Sequence, residues 1–292
     1  MTDPAPTRET PSVETPPVET PSVAPSTGAP DAALAVFGLD PVFLHAHPDD
    51  ESISTGGTIA ALMRAGARVG IVTGTRGERG EVMAGELAAL EGSPELGPHR
   101  VGELEAALAA LGSPRQVFLG APQARAIGAS PRVYADSGMR WGDDGFAQAA
   151  LDAPVDALSR APLADVVADL AAGVSGLSPR PTALIGYDAQ GGYGHPDHVR
   201  MHDAGVETAR ILGVPYFAIV EPRVEAADPS APRAGRADDS ALVGVPLGPF
   251  VHDKARAMAA HATQLGIEGG DFVLTGGQRH PIADVETFRR VV

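Results

Sequence analysis

The chain has 292 residues, 43% of them hydrophobic, and it carries a formal net charge of −15 with no cysteine. This length and composition suit one large α/β domain, and the acidic charge argues against nucleic acid or an anionic membrane as the main partner. Without cysteine, disulfides and thiolate zinc sites are excluded, so His, Asp or Glu would have to hold any metal ion.

The N-terminal segment differs in composition from the rest of the chain. Residues 1–34 repeat the pattern ETPxVETP, are rich in Pro, Thr and Ser, and lack the basic start and apolar core of a signal peptide. Such a segment buries too little apolar surface to offset the entropy of ordering it, so we expect a disordered tail. Residues 35–292 are expected to form a single domain. No apolar run approaches the roughly 20 residues that span a bilayer, and we expect a cytoplasmic protein.

From residue 35 onward, short apolar runs alternate with helical patterns. The predicted strands are 41–47, 67–75, 116–122, 182–188 and 214–220. The predicted helices are 54–66, 99–112, 162–179, 195–213 and 250–266. This alternation predicts an α/β fold, a Rossmann-like doubly wound and mostly parallel sheet with helices on both faces. The Pro- and Asp-rich segment 221–248 is predicted to be an irregular loop.

Two clusters of histidine and aspartate follow two of the predicted strands. Their members are His47, Asp49 and Asp50 after the first strand, and His195, Asp197 and His198 after strand 182–188. Ligands of open α/β sheets bind at the carboxyl ends of the strands, so both clusters are expected at one edge of the sheet. Each cluster alone could be a helix cap or a helix-end charge, but two at equivalent places indicate a shared metal site.

Two imidazoles and one carboxylate are a ligand set that catalytic zinc uses, with a further position open to water. A second carboxylate beside the metal can accept a proton from that water, and another histidine can stabilise an oxyanion. Spacing does not choose the ligands. His45 and His47 share a strand face, and His198 and His202 are four residues apart on one helix, so rival ligand sets stay open.

The ordered pieces AHPDDE, TGGT, TRGERGE, HRVGELEAAL and GGYGHPDHVRMH resemble the LmbE/PIG-L family of zinc N-deacetylases. The resemblance covers about residues 41–220 and resumes at AAHATQ, residues 259–264. It implies an amide hydrolase that removes acetyl from an N-acetylglucosamine glycoside. The pieces DSGM and GYGHPDH favour the branch that acts on N-acetylglucosaminyl-inositol in mycothiol biosynthesis.

The resemblance also implies roles for individual residues. One zinc ion per subunit would be bound by His47, Asp50 and His198, with Fe(II) as the alternative metal for such a ligand set. Asp49 would be the general base and then the acid, and His195 would stabilise the oxyanion or act as an acid.

Further positions match the family's pocket rather than its metal ligands. Tyr193 would lie on a mobile loop and help to bind the carbonyl, and Asp197 would orient the second histidine cluster. His45 and His202 would lie outside the ligand set. The matching sugar-pocket positions are Ser54, Arg100, Asp136 and Met139.

Other functions stay open at this level. Within the family, the alternatives are an amidase acting on mycothiol S-conjugates and a deacetylase of other N-acetylglucosamine derivatives. From a different class comes a catalytically inactive sugar-binding protein, which would not need to retain Asp49. A nucleotide-binding Rossmann enzyme is disfavoured because no GxGxxG follows the first strand. Homo-oligomerisation is left open.

Overall fold

The structure, a computed structural model, describes residues 28–143, 145–220 and 242–292. Its strands are β1 (Pro41–His45), β2 (Gly70–Thr73), β3 (Arg115–Phe118), β4 (Met139–Trp141), β5 (Ala147–Ala149), β6 (Ala183–Gly186), β7 (Tyr216–Ile219), β8 (Leu242–Pro246), β9 (Leu265–Glu268), β10 (Asp271–Leu274), β11 (Arg279–Pro281) and β12 (Val285–Arg290). Its helices are α1 (Ala29–Phe37), α2 (Asp50–Arg64), α3 (Leu96–Ala110), α4 (Leu163–Leu177), α5 (Gly191–Gly194, a single turn), α6 (Pro196–Leu212) and α7 (Val251–Ala260).

A seven-stranded sheet with the order β3-β2-β1-β6-β7-β12-β8 forms the centre of the molecule. Its first five strands pair in parallel, which confirms the predicted doubly wound α/β fold. Strand β12 then pairs antiparallel with both β7 and β8. The strand order reverses direction between β1 and its neighbour β6, so the carboxyl end of β1 lies where such sheets bind ligands.

Hydrophobic side chains on both faces of this sheet pack against helices, so its central strands are buried on both sides. On one face Phe43 of β1 packs with α1, α2, α3 and α7. On the other face Val42 and Leu44 pack with α4 and α6. The alternation of side chains along a strand therefore divides β1 between two cores, and only its carboxyl end is left for polar residues.

The structure corrects the predicted boundary of the N-terminal tail. Helix α1 begins at Ala29, inside the segment 1–34 that was expected to be disordered. It is held because the Phe37 ring packs edge-on against Phe217 at 5.1 Å and Phe288 at 4.9 Å between ring centroids. Residues 1–27 lie outside the described residues.

The C-terminal part also departs from the prediction. Helix α7 ends at Ala260, whereas a helix over 250–266 was expected, and β9, β10 and β11 form a separate antiparallel sheet. Residues 242–246 form strand β8, so the prediction of an irregular loop over 221–248 is wrong there, and residues 221–241 lie outside the described part.

Across the described residues, every helix is too short or too polar to traverse a bilayer.

Candidate active site

The chain turns sharply after β1 and places two carboxylates at the start of α2. Asp49, the residue before the helix, has φ of 126°, a region that a non-glycine residue rarely occupies. Its backbone N–H donates to the Glu51 carboxylate at 3.0 Å, and the N–H of His47 donates to Asp50 Oδ2 at 2.9 Å. These two bonds close the turn, so the side chains of both aspartates start from fixed backbone positions.

The second cluster is set by the start of α6. His195 caps this helix, and its Nδ1 accepts a hydrogen bond from the Asp197 N–H at 3.2 Å. Pro196 occupies the first turn, where its missing N–H costs nothing. This entry places His198 against the end of β1, with its Nε2 at 3.3 Å from His47 Nδ1. The structure thus brings together the two clusters that the sequence separates by about 150 residues.

Three side chains at this junction have the spacing of ligands around one ion. The distance from His47 Nδ1 to Asp50 Oδ2 is 3.4 Å, and that from His198 Nε2 to Asp50 Oδ1 is also 3.4 Å. The two imidazole nitrogens lie 3.3 Å apart, and each faces a different oxygen of the Asp50 carboxylate. Tetrahedral zinc with bonds of about 2.0–2.1 Å holds its ligand atoms about 3.3–3.4 Å apart, so these residues fit zinc.

The charges around His47 favour a cation as well. Burial acts to lower the pKa of His47, yet the carboxylates of Asp136, Asp197 and Asp50 outweigh it and hold that pKa well above its ordinary value. For Asp50, burial acts to raise the pKa, but the adjacent histidines, His198 first, hold it well below its usual range. The site therefore has an ionised carboxylate and surplus negative charge at the point where a metal ion would bind.

Two other groupings of possible ligand atoms share His47. One atom each of His47, His195 and His198 lies within 4.8 Å of the others, and so does one atom each of His47, Asp136, His195 and Asp197. Nδ1 of His195 already accepts the Asp197 N–H, which leaves this ring only Nε2 to offer. We propose the trio of His47, Asp50 and His198 as the metal centre, because each residue has a nitrogen or oxygen atom within 3.4 Å of one on each of the other two.

Asp197 contacts the proposed metal centre through the far ring nitrogen of His47. Its Oδ2 accepts from His47 Nε2 at 3.3 Å and from the Ser137 N–H at 2.9 Å, and its Oδ1 accepts from Ser137 Oγ at 2.5 Å. A carboxylate on the far nitrogen of a ligating histidine fixes its tautomer and orientation. Asp197 therefore contacts the first histidine cluster through its carboxylate, while only its backbone N–H serves the second.

Tyr187, just after β6, is a site residue that the sequence did not single out. Its hydroxyl donates to Asp50 Oδ2 at 2.7 Å and accepts from the Ala46 N–H at 2.7 Å. Its ring stacks on His198 with 4.0 Å between centroids. Burial, and then the charge of Asp50, hold the pKa of Tyr187 well above its usual range, so the phenol remains a donor. A tyrosine at a strand end has no spacing pattern that reveals this role.

We expect Tyr187→Phe to weaken zinc binding by roughly 10- to 100-fold, because it removes the donor that orients Asp50. It would also leave the buried Ala46 N–H without an acceptor. Competition with a chromophoric chelator measures the affinity. Tyr216→Phe is the matched control, since the Tyr216 hydroxyl donates to the Tyr187 carbonyl at 2.9 Å. The Tyr216 variant should lose stability alone, and equal zinc affinities for both variants would contradict the role of Tyr187.

Asp49 lies beside the metal centre in a different environment. Burial raises the pKa of Asp49 to about 6, with Arg100 acting against this and the charge of Asp50 adding to it. Arg100 Nη2 lies 3.3 Å from Asp49 Oδ2, and the Asp49 side chain stays 16% exposed. Two adjacent carboxylates therefore have pKa values displaced in opposite directions, which is the pattern of an acid–base group next to a ligand.

His195 and Tyr193 adjoin this cluster, with ring centroids 4.9 and 5.3 Å from that of His198. Burial, and then the neighbouring His47 and His198, hold the pKa of His195 well below its ordinary value. Because its Nδ1 accepts a hydrogen bond, the neutral ring carries its proton on Nε2 and presents a donor there. Tyr193 is 40% exposed, and its ring centroid lies 5.3 Å from that of His198, so it borders the entrance.

The remaining predicted pocket residues are placed as follows. Asp136 Oδ1 lies 3.8 Å from His47 Nε2. Arg100 is buried, and besides Asp49 its guanidinium donates to the Pro48 carbonyl at 2.5 Å and the Gly77 carbonyl at 2.7 Å. Ser54 is buried in α2, and Met139 is half-buried at the start of β4. Sugar contacts by these residues stay a prediction.

The rival histidines have other partners. Nε2 of His45 lies 3.0 Å from Thr55 Oγ1, and Nδ1 of His202 lies 2.8 Å from the Tyr187 carbonyl oxygen. Both rings are buried. The structure therefore separates them from the trio that spacing alone could not distinguish.

A buried ion pair adjoins Asp49. Glu51 Oε1 lies 2.8 Å from His261 Nε2, and the Ser52 hydroxyl donates to the same oxygen at 2.5 Å. Burial opposes charge on both partners, but their attraction lowers the pKa of Glu51 and raises that of His261. The pair joins the pieces HPDDE and AAHATQ, which lie at opposite ends of the domain sequence.

A doubly wound sheet with two histidines and an ionised carboxylate at its strand ends, beside a second carboxylate of raised pKa, is typical of metal-dependent hydrolases. The family model described as GlcNAc-PI de-N-acetylase, PIG-L, matches residues 42–209. The chain belongs to this family, which makes it an amide-hydrolysing deacetylase by membership.

Relatives with curated names are similar over most of the chain. A protein of Nocardioides sp. named 1D-myo-inositol 2-acetamido-2-deoxy-alpha-D-glucopyranoside deacetylase is 36% identical over 286 residues, covering 85% of this chain and 90% of the relative. A protein of Streptomyces avermitilis with the same name is 35% identical and covers 86% of this chain and 91% of its own. The similarity therefore extends well beyond the metal-binding segments.

Solved structures share the fold at lower identity. The A40926 pseudoaglycone deacetylase matches with a TM-score of 0.54 and 18% identity over 87% of this chain and 97% of its own. A zinc-inhibited form of teicoplanin deacetylase matches with a TM-score of 0.53 and 19% identity over 86% of this chain and 98% of its own. These two likenesses support the architecture.

Proposed function

We propose that the protein is a zinc-dependent hydrolase that removes the acetyl group from 1D-myo-inositol 2-acetamido-2-deoxy-α-D-glucopyranoside, as in mycothiol biosynthesis. The observation that carries the proposal is the junction of His47, Asp50 and His198, whose facing nitrogen and oxygen atoms lie 3.3–3.4 Å apart, beside Asp49. Relatives named for this reaction that cover 85% or more of the chain support the choice of substrate.

The proposed ligands and base divide the chemistry between them. A zinc ion held by His47, Asp50 and His198 would polarise the acetyl carbonyl and lower the pKa of a bound water. Asp49 would take the proton of the attacking water, for which a pKa of about 6 leaves it mostly ionised at neutral pH. Arg100 holds the Asp49 carboxylate in place at 3.3 Å.

Two further side chains would act on the carbonyl oxygen and the leaving amine. The Nε2–H of neutral His195 would donate to the oxygen as negative charge develops on it, with the hydroxyl of Tyr193 as a second donor. The low pKa of His195 favours this role over that of a proton donor at neutral pH. The proton that Asp49 has taken would then pass to the departing amine, giving acetate and the free amino sugar.

Release of the free amino sugar from a panel of amide substrates tests the proposal. The inositol glycoside should be hydrolysed fastest, ahead of N-acetylglucosamine and of a mycothiol S-conjugate presented as an amidase substrate. A faster reaction with the conjugate would make the protein an amidase of the same family. Zinc binding without hydrolysis of any of the three would contradict the proposed activity and favour a sugar-binding protein.

The fluorescence of Trp141 can report substrate binding without turnover. It is the only tryptophan of the chain, is 57% exposed, and lies 6.0 Å from Tyr193 between ring centroids. We expect the inositol glycoside, added to metal-free protein, to shift tryptophan emission to shorter wavelength as it displaces water beside Tyr193. Free inositol is the control ligand. An unchanged emission spectrum at saturating glycoside would place the pocket away from Tyr193.

We further propose a cytoplasmic location, which cell fractionation tests. Homo-oligomerisation stays open, and light scattering on the purified protein decides it.

A further inference from the structure

Glu51 makes a set of contacts that the proposed reaction does not use directly. It is 1% exposed, and both of its carboxylate oxygens are engaged. Oε2 accepts the Asp49 N–H at 3.0 Å, while Oε1 accepts from Ser52 Oγ at 2.5 Å and pairs with His261 Nε2 at 2.8 Å. A buried carboxylate is stable only when its lone pairs are satisfied in this way.

The residue whose backbone Glu51 holds is under strain. Asp49 is one of two non-glycine residues with positive φ in the described part of the chain, and its φ of 126° and ψ of −32° lie outside the ordinary left-handed region. Such a conformation costs about 1–3 kcal/mol and persists only where surrounding contacts enforce it. The Glu51 carboxylate at the Asp49 N–H and Arg100 at the Pro48 carbonyl are two such contacts, and both hold the peptide group that joins Pro48 to Asp49.

We propose that Glu51 and His261 are positioning residues, which hold the backbone of Asp49 in its strained conformation and so aim the carboxylate of Asp49 at the reacting centre. Glu51 contacts the backbone of Asp49 directly, and His261 acts by fixing Glu51. The inference rests on the proposed deacetylase function.

His261 connects the end of α7 to the segment that carries Asp49, through its contact with Glu51. His261 lies directly after α7, is fully buried, and reaches Glu51 across 210 residues of sequence. Its neighbour Thr263 is fastened to α3, since its N–H and hydroxyl donate to the Glu103 carboxylate at 2.8 and 2.6 Å. The C-terminal segment thereby becomes part of the support for the proposed base, although none of its residues belongs to the metal centre.

Replacement of Glu51 separates this role from a merely structural one. Glu51→Met, similar in size but unable to accept a hydrogen bond, should lower kcat roughly 10- to 100-fold at nearly unchanged KM and zinc content. Glu51→Gln keeps an oxygen that can accept the Asp49 N–H and should recover much of that loss. His261→Gln leaves the hydrogen bond from the Asp49 N–H to Glu51 in place and should lower kcat by a smaller factor. This variant tests the inference if Glu51→Met does not fold.

Glu286 supplies a matched control. It is 3% exposed, accepts the Gly57 and Thr58 N–H groups of α2 at 3.0 and 2.8 Å, and pairs with the buried Lys254 at 2.8 Å. It thus resembles Glu51 in burial, in bonding to backbone of the same segment and in having a cationic partner. Glu286→Gln should lower the melting temperature but leave kcat at the wild-type value.

A double substitution provides the decisive comparison. If Glu51 acts through Asp49, adding Glu51→Met to Asp49→Asn should change the residual kcat by less than about 3-fold, because groups acting as one unit are not additive. The same large fall in both backgrounds, or an unchanged kcat in Glu51→Met alone, would overturn the inference. Wild-type protein that hydrolyses no glycoside would instead refute the proposed function.

Discussion

Asp49→Asn is expected to lower the turnover of the inositol glycoside roughly 10²- to 10⁴-fold, the usual contribution of a general base. The substitution removes the carboxylate beside the proposed metal centre whose pKa burial raises to about 6. Asparagine has nearly the same shape, so the bond from the Asp49 N–H to Glu51 and the trio of His47, Asp50 and His198 should be retained.

The measurement is kcat together with zinc content per chain. The variant should hold as much zinc as the wild-type protein, which excludes loss of metal as the reason for its inactivity. Turnover near the wild-type value would show that another group accepts the proton. An inactive variant that also lacks zinc would make Asp49 a ligand rather than a base.

The same substitution should stabilise the metal-free protein. The pKa of Asp49 is raised from its ordinary 3.8 to about 6 in the folded state, chiefly by burial, so the folded protein binds the proton more tightly than the unfolded chain. Its contribution to stability is therefore full below about pH 4 and is lost as the pH rises through about 6, by at most roughly 3 kcal/mol. Asparagine is neutral throughout, so at pH 8 the metal-free Asp49→Asn protein should melt at a higher temperature than the wild type.

His198→Asn is expected to abolish both zinc retention and deacetylation. It removes one of three proposed ligands, so the loss of zinc affinity should exceed the roughly 10- to 100-fold that follows from changing a supporting residue. His202→Asn is the control, because His202 lies one turn further along α6, where its ring nitrogen contacts only the Tyr187 carbonyl among the described contacts. Equilibrium dialysis against zinc, with acetate release as the second reading, compares the two.

The two histidine variants distinguish the ligand sets that spacing leaves open. Zinc lost from His198→Asn and retained by His202→Asn is the expected pattern. If His198→Asn retained zinc and His202→Asn lost it, His202 would be the metal ligand on this helix face. That result would contradict the proposed centre.

The elements that carry the site could be predicted because their signals are local. Strand β1 is a short apolar run that is buried on both faces, and a polar cluster can follow it only at the edge of the sheet. His47 and His198 were therefore expected at one edge of the sheet, because each follows the carboxyl end of a parallel strand, and their ring nitrogens lie 3.3 Å apart. Parallel topology converts a separation of about 150 residues into a contact.

Other features depend on contacts that no local pattern displays. Strand β12 joins the sheet antiparallel, and its place is fixed by pairing with β7 and β8 rather than by its own short sequence. Helix α1 forms because Phe37 fills a gap between Phe217 and Phe288, which are remote in sequence. The tail boundary at residue 34 was wrong for this reason.

Supporting residues of the site were missed for a related reason. The hydroxyl of Tyr187 reaches Asp50 across 137 residues, and the Glu51–His261 pair spans 210. Each of these contacts joins single side chains that belong to no spacing pattern. Their roles are therefore visible only in the folded structure. Motif pieces identified the residues that could bind the metal, while the groups that orient them required the structure.

Zinc titration of the metal-free protein, followed by acetate release from the inositol glycoside, is the most direct test of a metal centre built from His47, Asp50 and His198. Protein freed of metal with a chelator should be inactive, and release should rise in proportion to added zinc and level off at one ion per chain. Release that persists after chelation and does not respond to zinc would contradict the proposed metal-dependent hydrolysis.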